Sequence, residues 1–250
     1  MTATATLRSI PIHPQGRKFE VTCGSCNLRE LCLPQALSGE EINLFERVVY
    51  ARRRLKRGDT LFTAGDAFKA LYAVRSGFFK TSVVDGEGRE QVTGFSMGGE
   101  LLGLEGIGTG QYNSAAIALE DSEVCVLPYA LIEEIADEVP ALQRRLNAVL
   151  AREIVRDQGV MMLLGSMRAE QRLATFLINL SRRFTARGYS PSDFNLRMTR
   201  EELGSYLGLK LETVSRLFSR FQEDGLIEVQ QKHVRIVDIP GLQQLLSALH

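Results

Sequence analysis

The chain has 250 residues, with 30 basic and 30 acidic side chains and a net charge of +0. Hydrophobic residues at 44% and charged residues at 24% fit globular domains and exclude a disordered or fibrous chain. No apolar run reaches the ~20 residues of a membrane span, and Met1 to His13 has no apolar stretch behind a basic start, so no membrane contact, no signal peptide and a cytoplasmic location are expected.

The charge is unevenly spread. Residues 61–164 carry net −7, whereas residues 165–250 carry net +3 and residues 1–60 net +4. An acidic middle followed by a basic end places any nucleic-acid contact at the C-terminus. At this length two cores and a connector are expected.

In chain order, residues 1–20 have little to bury and read as a disordered tail, and Cys23 to Pro34 as a short cysteine-bearing loop. Ser38 with Glu41 opens a helix as a capping box. From Leu55 to Val126, short apolar or alternating runs separated by glycine turns predict an all-β barrel or jelly roll. Pro128 to Asp137 is a short helix, and Pro140 starts a long one that ends at Gly165. About 25 residues at ~1.5 Å each make a rod of ~37 Å, long enough to be a dimerisation helix. An amphipathic helix over 168–187, a loop over 188–195, two short helices, a hairpin around Gln230-Gln231-Lys232-His233 and a last helix make a winged helix.

Within that end, Thr199 to Leu217 reads TREELGSYLGLKLETVSRL. Thr199 and Glu202 form a second capping box, Gly204 allows close helix approach and Gly208 supplies the turn. The second helix then exposes Glu212, Ser215, Arg216 and Ser219 as one stripe. An Arg fork matches the O6 and N7 edge of guanine, Glu can accept from cytosine, and Ser can touch a thymine or adenine edge.

Four cysteines are the other constellation. Cys23, Cys26 and Cys32 crowd one loop and Cys125 lies far downstream on a predicted strand. A reducing compartment disfavours disulfides. Spacing alone leaves an iron–sulfur cluster, a tetrahedral zinc site and no metal all open.

Residues 199–228 resemble the helix-turn-helix of the CRP/FNR superfamily of bacterial transcription regulators. Glu212-x-x-Ser215-Arg216 resembles the FNR-type reading motif, while Leu211 and Ser215 replace the Arg and Gly usual in the cAMP-receptor branch. The resemblance covers about residues 20–240. It implies a TTGAT half-site in an inverted repeat, with Arg216 on the guanine. It also implies that Cys23, Cys26, Cys32 and Cys125 ligate an oxygen-labile [4Fe–4S] cluster; Leu31 resembles the family's apolar shield over it, or simply packs the loop. Asn27, after the second cysteine, stands at a position that varies in the family and is thought to tune oxygen sensitivity.

Cyclic-nucleotide binding is not expected. Gly99-Glu100-Leu101 matches the first part of the superfamily's phosphate cassette, but Asn113 stands where the phosphate-binding Arg belongs. Glu100 is read as a turn or fold residue.

A 4-3 count along the long helix gives Gln143, Asn147, Leu150, Ile154, Asp157, Met161 and Leu164 as a seam with a second copy. Asp157 would then meet its own symmetry mate, and FNR-type proteins carry a similar Asp. Carboxylates ~6 Å apart at an effective dielectric of ~20 repel by roughly 3 kcal/mol. Ile154 and Asp157 are thus the expected dimer-switch residues, the alternative being a rotated stripe with Asp157 in solvent. Asp85 to Arg89 is a hairpin turn by composition, and the matching family loop touches RNA polymerase.

The expected fold is α+β: a tail and cluster loop over 1–34, an N-terminal β jelly-roll sensor domain over 35–139, a dimerisation helix over 140–166 and a C-terminal winged helix-turn-helix over 167–250. The expected function is an oxygen-sensing regulator of anaerobic gene expression, with DNA, RNA polymerase and a second copy as partners. The rivals are a zinc-stabilised regulator without oxygen sensing and an enzyme or storage protein with a cupin-like barrel. No His/carboxylate triad supports the last, and His13, His233 and His250 pair with no nucleophile motif.

Overall fold

A computed structural model of the chain describes residues 23–247 apart from Ala36 and Tyr50. The tail expected over 1–20 therefore lies outside the described residues, as does His250.

Helix α1 (Gly39–Val48) starts where expected: Ser38 Oγ accepts from the Glu41 N–H, and Glu41 Oε2 accepts from the Ser38 N–H at 2.7 Å. Eight strands follow: β1 (Ala51–Leu55), β2 (Thr60–Phe62), β3 (Ala70–Ser76), β4 (Phe78–Val84), β5 (Glu90–Met97), β6 (Leu101–Leu102), β7 (Ala115–Ala118) and β8 (Ser122–Pro128), with the short helix α2 (Gly106–Thr109) before β7. They pair antiparallel in two four-stranded sheets, β1-β8-β3-β6 and β2-β7-β4-β5. Leu55, Phe62, Val74, Phe79 and Val124 share one buried cluster between them. That is a jelly roll filled by its own side chains.

Helices α3 (Tyr129–Glu138) and α4 (Pro140–Ser166) come next. Ile132, Ile135, Leu142 and Leu146 join Leu33, Leu37 and Phe45 in a second core, so α1, α3 and the start of α4 close over one side of the barrel. Beyond it come α5 (Ala169–Thr185), β9 (Asp193–Asn195), α6 (Arg200–Leu207), α7 (Leu211–Glu223), β10 (Ile227–Gln230), β11 (His233–Ile236) and α8 (Ile239–Ser247). Strands β10, β11 and β9 form the wing.

The elements follow the sequence reading closely and depart from it in places. β1 precedes the expected start of the barrel at Leu55: it is rich in arginine, and pairing with β8 rather than apolar alternation makes it a strand. α2 occupies part of the glycine-rich stretch 106–110. β9 lies in the segment expected to be loop, held by its register with β11. α4 passes Gly165, the expected stop, and ends at Ser166, the last residue of the segment expected over 140–166. Among the described residues no helix is long and apolar enough to cross a membrane.

Candidate functional site: a thiol cavity and a reading helix

Cys125 sits on β8 opposite Arg52 of β1 and Ala73 of β3. Tight turns shape the cysteine loop: the Cys26 N–H donates to Cys23 O at 3.2 Å and the Cys32 N–H to Leu28 O at 3.0 Å. All four thiols line one cavity against the barrel, with about 420 Å³ of atom-free space, part of it open to solvent. Among the described residues no three His, Cys, Asp or Glu side chains form a group that could hold a metal ion.

Burial pushes the Cys23 thiol up to about 12, and the neighbouring Cys32 and Cys125 push the same way. Burial also carries Cys32 to about 12. It raises Cys125 too, against the pull of Arg52 and Arg75. These thiols stay protonated at neutral pH unless a cation takes the proton's place, which is what a bound metal centre does. Arg29 lines the same cavity. Its Nη2 donates to Leu37 O at 2.8 Å, but its buried Nε has no partner among the described residues. Leu28 lines the cavity as well, and Leu31 packs on Gly99, where a Cβ would lie 2.7 Å from Leu31 Cβ.

Arg145, from the first half of α4, holds the loop from outside. Its Nη2 donates to Cys32 O at 3.0 Å and to Leu31 O at 3.4 Å, and its Nε to Cys32 O at 3.3 Å. Sequence reasoning missed this residue, because nothing local marks an arginine 113 positions from its acceptor.

Further along α4, Ile154, Val155, Met161 and Met162 are all exposed, between 58% and 68%. Gln143, Asn147, Asp157 and Met161 of the expected seam are exposed as well, and Leu150 and Leu164 are half-buried.

In the C-terminal unit, Thr199 Oγ1 accepts from the Glu202 N–H at 3.1 Å, and Glu202 Oε2 accepts from the Thr199 N–H at 2.7 Å. Gly208 takes the left-handed conformation, φ 63°, and a Cβ on Gly204 would fall 2.6 Å from Leu209 O. Val214, Leu217, Phe218 and Phe221 bury one face of α7, leaving Glu212, Ser215, Arg216 and Ser219 exposed together on the other. Arg172 ties the helices: it donates to Leu164 O at 2.8 Å, Met167 O at 2.9 Å and Leu207 O at 2.9 Å. The unit also docks on the barrel. Lys80 bridges Glu90 at 3.0 Å and Glu202 at 3.2 Å, the Val92 N–H donates to Ser205 Oγ at 2.8 Å, and Phe95 meets Tyr206 at 5.3 Å between ring centroids.

At the tip of the β4–β5 hairpin, Asp85 Oδ1 accepts from the N–H groups of Glu87 and Arg89 at 2.9 and 3.0 Å, so the expected turn is present. His233 contacts Asp193 at 2.6 Å within the wing. Asn113 donates to Thr109 Oγ1 at 3.3 Å.

Residues 52–138 match the cyclic nucleotide-binding domain family and residues 171–245 the Crp-like helix-turn-helix domain family. The chain is 48% identical over 221 residues to the transcriptional activator protein FnrA of Stutzerimonas stutzeri, covering 88% of this chain and 90% of that one. It is 41% identical over 225 residues to the fumarate and nitrate reduction regulatory protein of Escherichia coli K12, covering 90% of each. Among solved structures, FixK2 from Bradyrhizobium japonicum superposes with a TM-score of 0.73 at 27% identity, covering 80% of this chain and 98% of that one.

Proposed function

The chain belongs to the CRP/FNR superfamily as an FNR-type transcription regulator and is not an enzyme, and from that premise we propose that it is an oxygen-responsive activator of anaerobic gene expression. In this reading Cys23, Cys26, Cys32 and Cys125 hold a [4Fe–4S] cluster, and two copies bind a palindrome of TTGAT-type half-sites.

The observation that carries it is the thiol cavity. Four half-buried cysteines from a loop and a barrel strand line one cavity, and Arg145 hydrogen-bonds that loop to the long helix. The donor set suits the group. Zn–S bonds of ~2.3 Å would draw four sulfurs onto one tetrahedral ion, whereas a cluster has separated iron corners and so suits three thiols from a loop and one from a distant strand. The unpartnered Arg29 Nε is a charged donor of the kind that hydrogen-bonds cluster sulfurs. When bound, such a cluster supplies thiolate-held irons that oxygen dismantles.

The chain's own residues do the rest. Thiolates held in the cavity keep the loop against the barrel, so that Leu31 O and Cys32 O stay on Arg145 and the start of α4 stays seated. The bare half of α4 pairs with its copy through Ile154 and Met161, against the repulsion of two Asp157 carboxylates. Pairing sets two α7 helices one DNA turn apart. Arg216 then reads guanine while Glu212 and Ser215 read neighbouring base edges. The Asp85–Arg89 turn, on the exposed hairpin tip, is the surface offered to RNA polymerase.

Anaerobically purified protein assayed for iron, sulfide and zinc tests this. About four irons per chain and a brown colour that bleaches in air are expected. Colourless protein with one zinc per chain would overturn it in favour of a zinc-stabilised regulator.

A further inference from the structure

The β5–β6 turn, Gly98-Gly99-Glu100, lies between the cysteine loop and the DNA-binding unit, and the reading above does not use it. On one side Leu28 and Leu31 back it: a Cβ on Gly98 would stand 3.0 Å from Leu28 Cδ1. On the other side it receives two arginines, Arg183 near the end of α5 and Arg187 just beyond it. Glu100 Oε1 accepts from Arg183 Nε at 3.0 Å and from Arg187 Nη2 at 2.6 Å. Its Oε2 accepts from Arg183 Nη2 at 2.6 Å and from the Met97 N–H at 3.2 Å. The same guanidiniums reach backbone: Arg187 Nε donates to Gly98 O at 2.6 Å, and Arg183 Nη2 to Phe95 O at 2.7 Å.

The carboxylate is therefore satisfied from inside the chain. Arg187 is the most enclosed member, its side chain 6% exposed, and Glu100 and Arg183 are half-enclosed. Burial alone would raise the Glu100 carboxyl, and the two guanidiniums more than reverse this. Without the carboxylate, two neighbouring cations would face each other with no counter-charge, which costs far more than an exposed ion pair contributes.

What the clamp holds is the reading helix. α5 and α7 share one core, with Leu173, Leu177 and Leu180 against Val214, Leu217 and Phe221. Fixing Arg183 and Arg187 on the barrel turn therefore fixes the angle at which Glu212, Ser215 and Arg216 are presented. A dimer reads two half-sites about one helical turn apart, and one inserted base pair moves the second by ~3.4 Å and turns it by ~35°. A protein can reject that displacement only if its two reading units cannot follow it.

We propose that Glu100 is a positioning residue that sets the half-site spacing this protein accepts, by clamping Arg183 and Arg187 so that each reading helix keeps one orientation on its barrel. The inference rests on the reading of the protein as a palindrome-binding dimer, and the experiment separates the two.

Full-length, anaerobically prepared protein, shown to be dimeric by sedimentation, is titrated with three DNAs. One carries two TTGAT-type half-sites at the natural spacing, the second has one inserted base pair, and the third carries a single half-site. Wild type is expected to prefer the natural spacing by on the order of tenfold or more. Glu100→Gln should shrink that preference to about threefold or less while iron content, dimerisation and single half-site affinity stay as in wild type. Arg183→Gln should do the same, and it decides the matter if Glu100→Gln does not fold. A merely structural role would instead lower affinity for all three DNAs together, or lower iron content, and would overturn the proposal. So would variants that keep the wild-type spacing preference. A wild type indifferent to spacing would overturn the palindrome reading itself.

Discussion

The two halves of α4 are built for different neighbours. In the first half, Leu142 is 0% exposed and Leu146 7%, both packed under α1 and α3, and Arg145 holds the cysteine loop. From residue 147 to residue 162 nothing is buried, although the stretch contains Ile154, Val155, Met161 and Met162. Only at Leu163 does the helix enter a core again, that of the DNA-binding unit. Each large apolar side chain left in water forgoes about 1.5–3 kcal/mol of burial. A helix that satisfies its apolar periodicity at both ends and leaves it bare in the middle is shaped for a surface outside the chain. In the proposed reading the buried half takes part in sensing and the bare half in assembly, and one continuous helix connects them.

Substitutions can break or sharpen that contrast. The largest effect is expected from Cys125→Ser, which leaves both halves intact but removes one of the four thiols proposed to hold a cluster beside the first. Iron content should fall to background in a colorimetric assay, as completely as for Cys23→Ser, and the anaerobic protein should sediment as a monomer. Ile154→Glu attacks the bare half alone. A carboxylate carried into an apolar seam costs several kcal/mol, so anaerobic sedimentation should show monomers although the cluster absorption remains.

Asp157→Ala sharpens the contrast in the opposite direction. Removing a repulsion of roughly 3 kcal/mol should tighten the dimer by about a hundredfold, since each ~1.4 kcal/mol is tenfold. The variant should dimerise and bind palindromic DNA in air; unchanged aerobic sedimentation would mean that Asp157 faces solvent rather than its copy. Arg145→Ala loosens the link between loop and buried half. Losing charge-assisted hydrogen bonds of about 1.5–3 kcal/mol should make the cluster absorption bleach several-fold faster in air, with iron loading preserved under nitrogen. The smallest change is expected from Arg216→Ala, which touches neither half. Binding should weaken by about 1–3 kcal/mol with relaxed preference at the guanine, and sedimentation should not move; an equal loss on random DNA would reduce Arg216 to a phosphate contact.

Local chemistry made much of this molecule readable in one dimension. The capping boxes at Ser38–Glu41 and Thr199–Glu202, the left-handed Gly208 and the long proline-initiated helix are each decided within a few residues, because caps and turns satisfy backbone groups of their own neighbourhood. The exposed stripe on α7 follows from helical periodicity, and the order of cysteines placed three thiols on a loop and one on a strand. Other features depend on pairing across the fold. β1 is mostly charged and β9 is three residues long, and each is a strand only because a partner strand supplies its hydrogen bonds. Leu31, read either as a shield over a cluster or as loop packing, packs on Gly99, because the β5–β6 turn brings a bare glycine to it. Glu100, read as a turn or fold residue, sits in the β5–β6 turn and also holds two arginines 83 and 87 positions away. A carboxylate accepts from whichever donors the packed elements deliver, and at such separations delivery is settled by docking the C-terminal unit against the barrel, a tertiary event with no local trace in the chain.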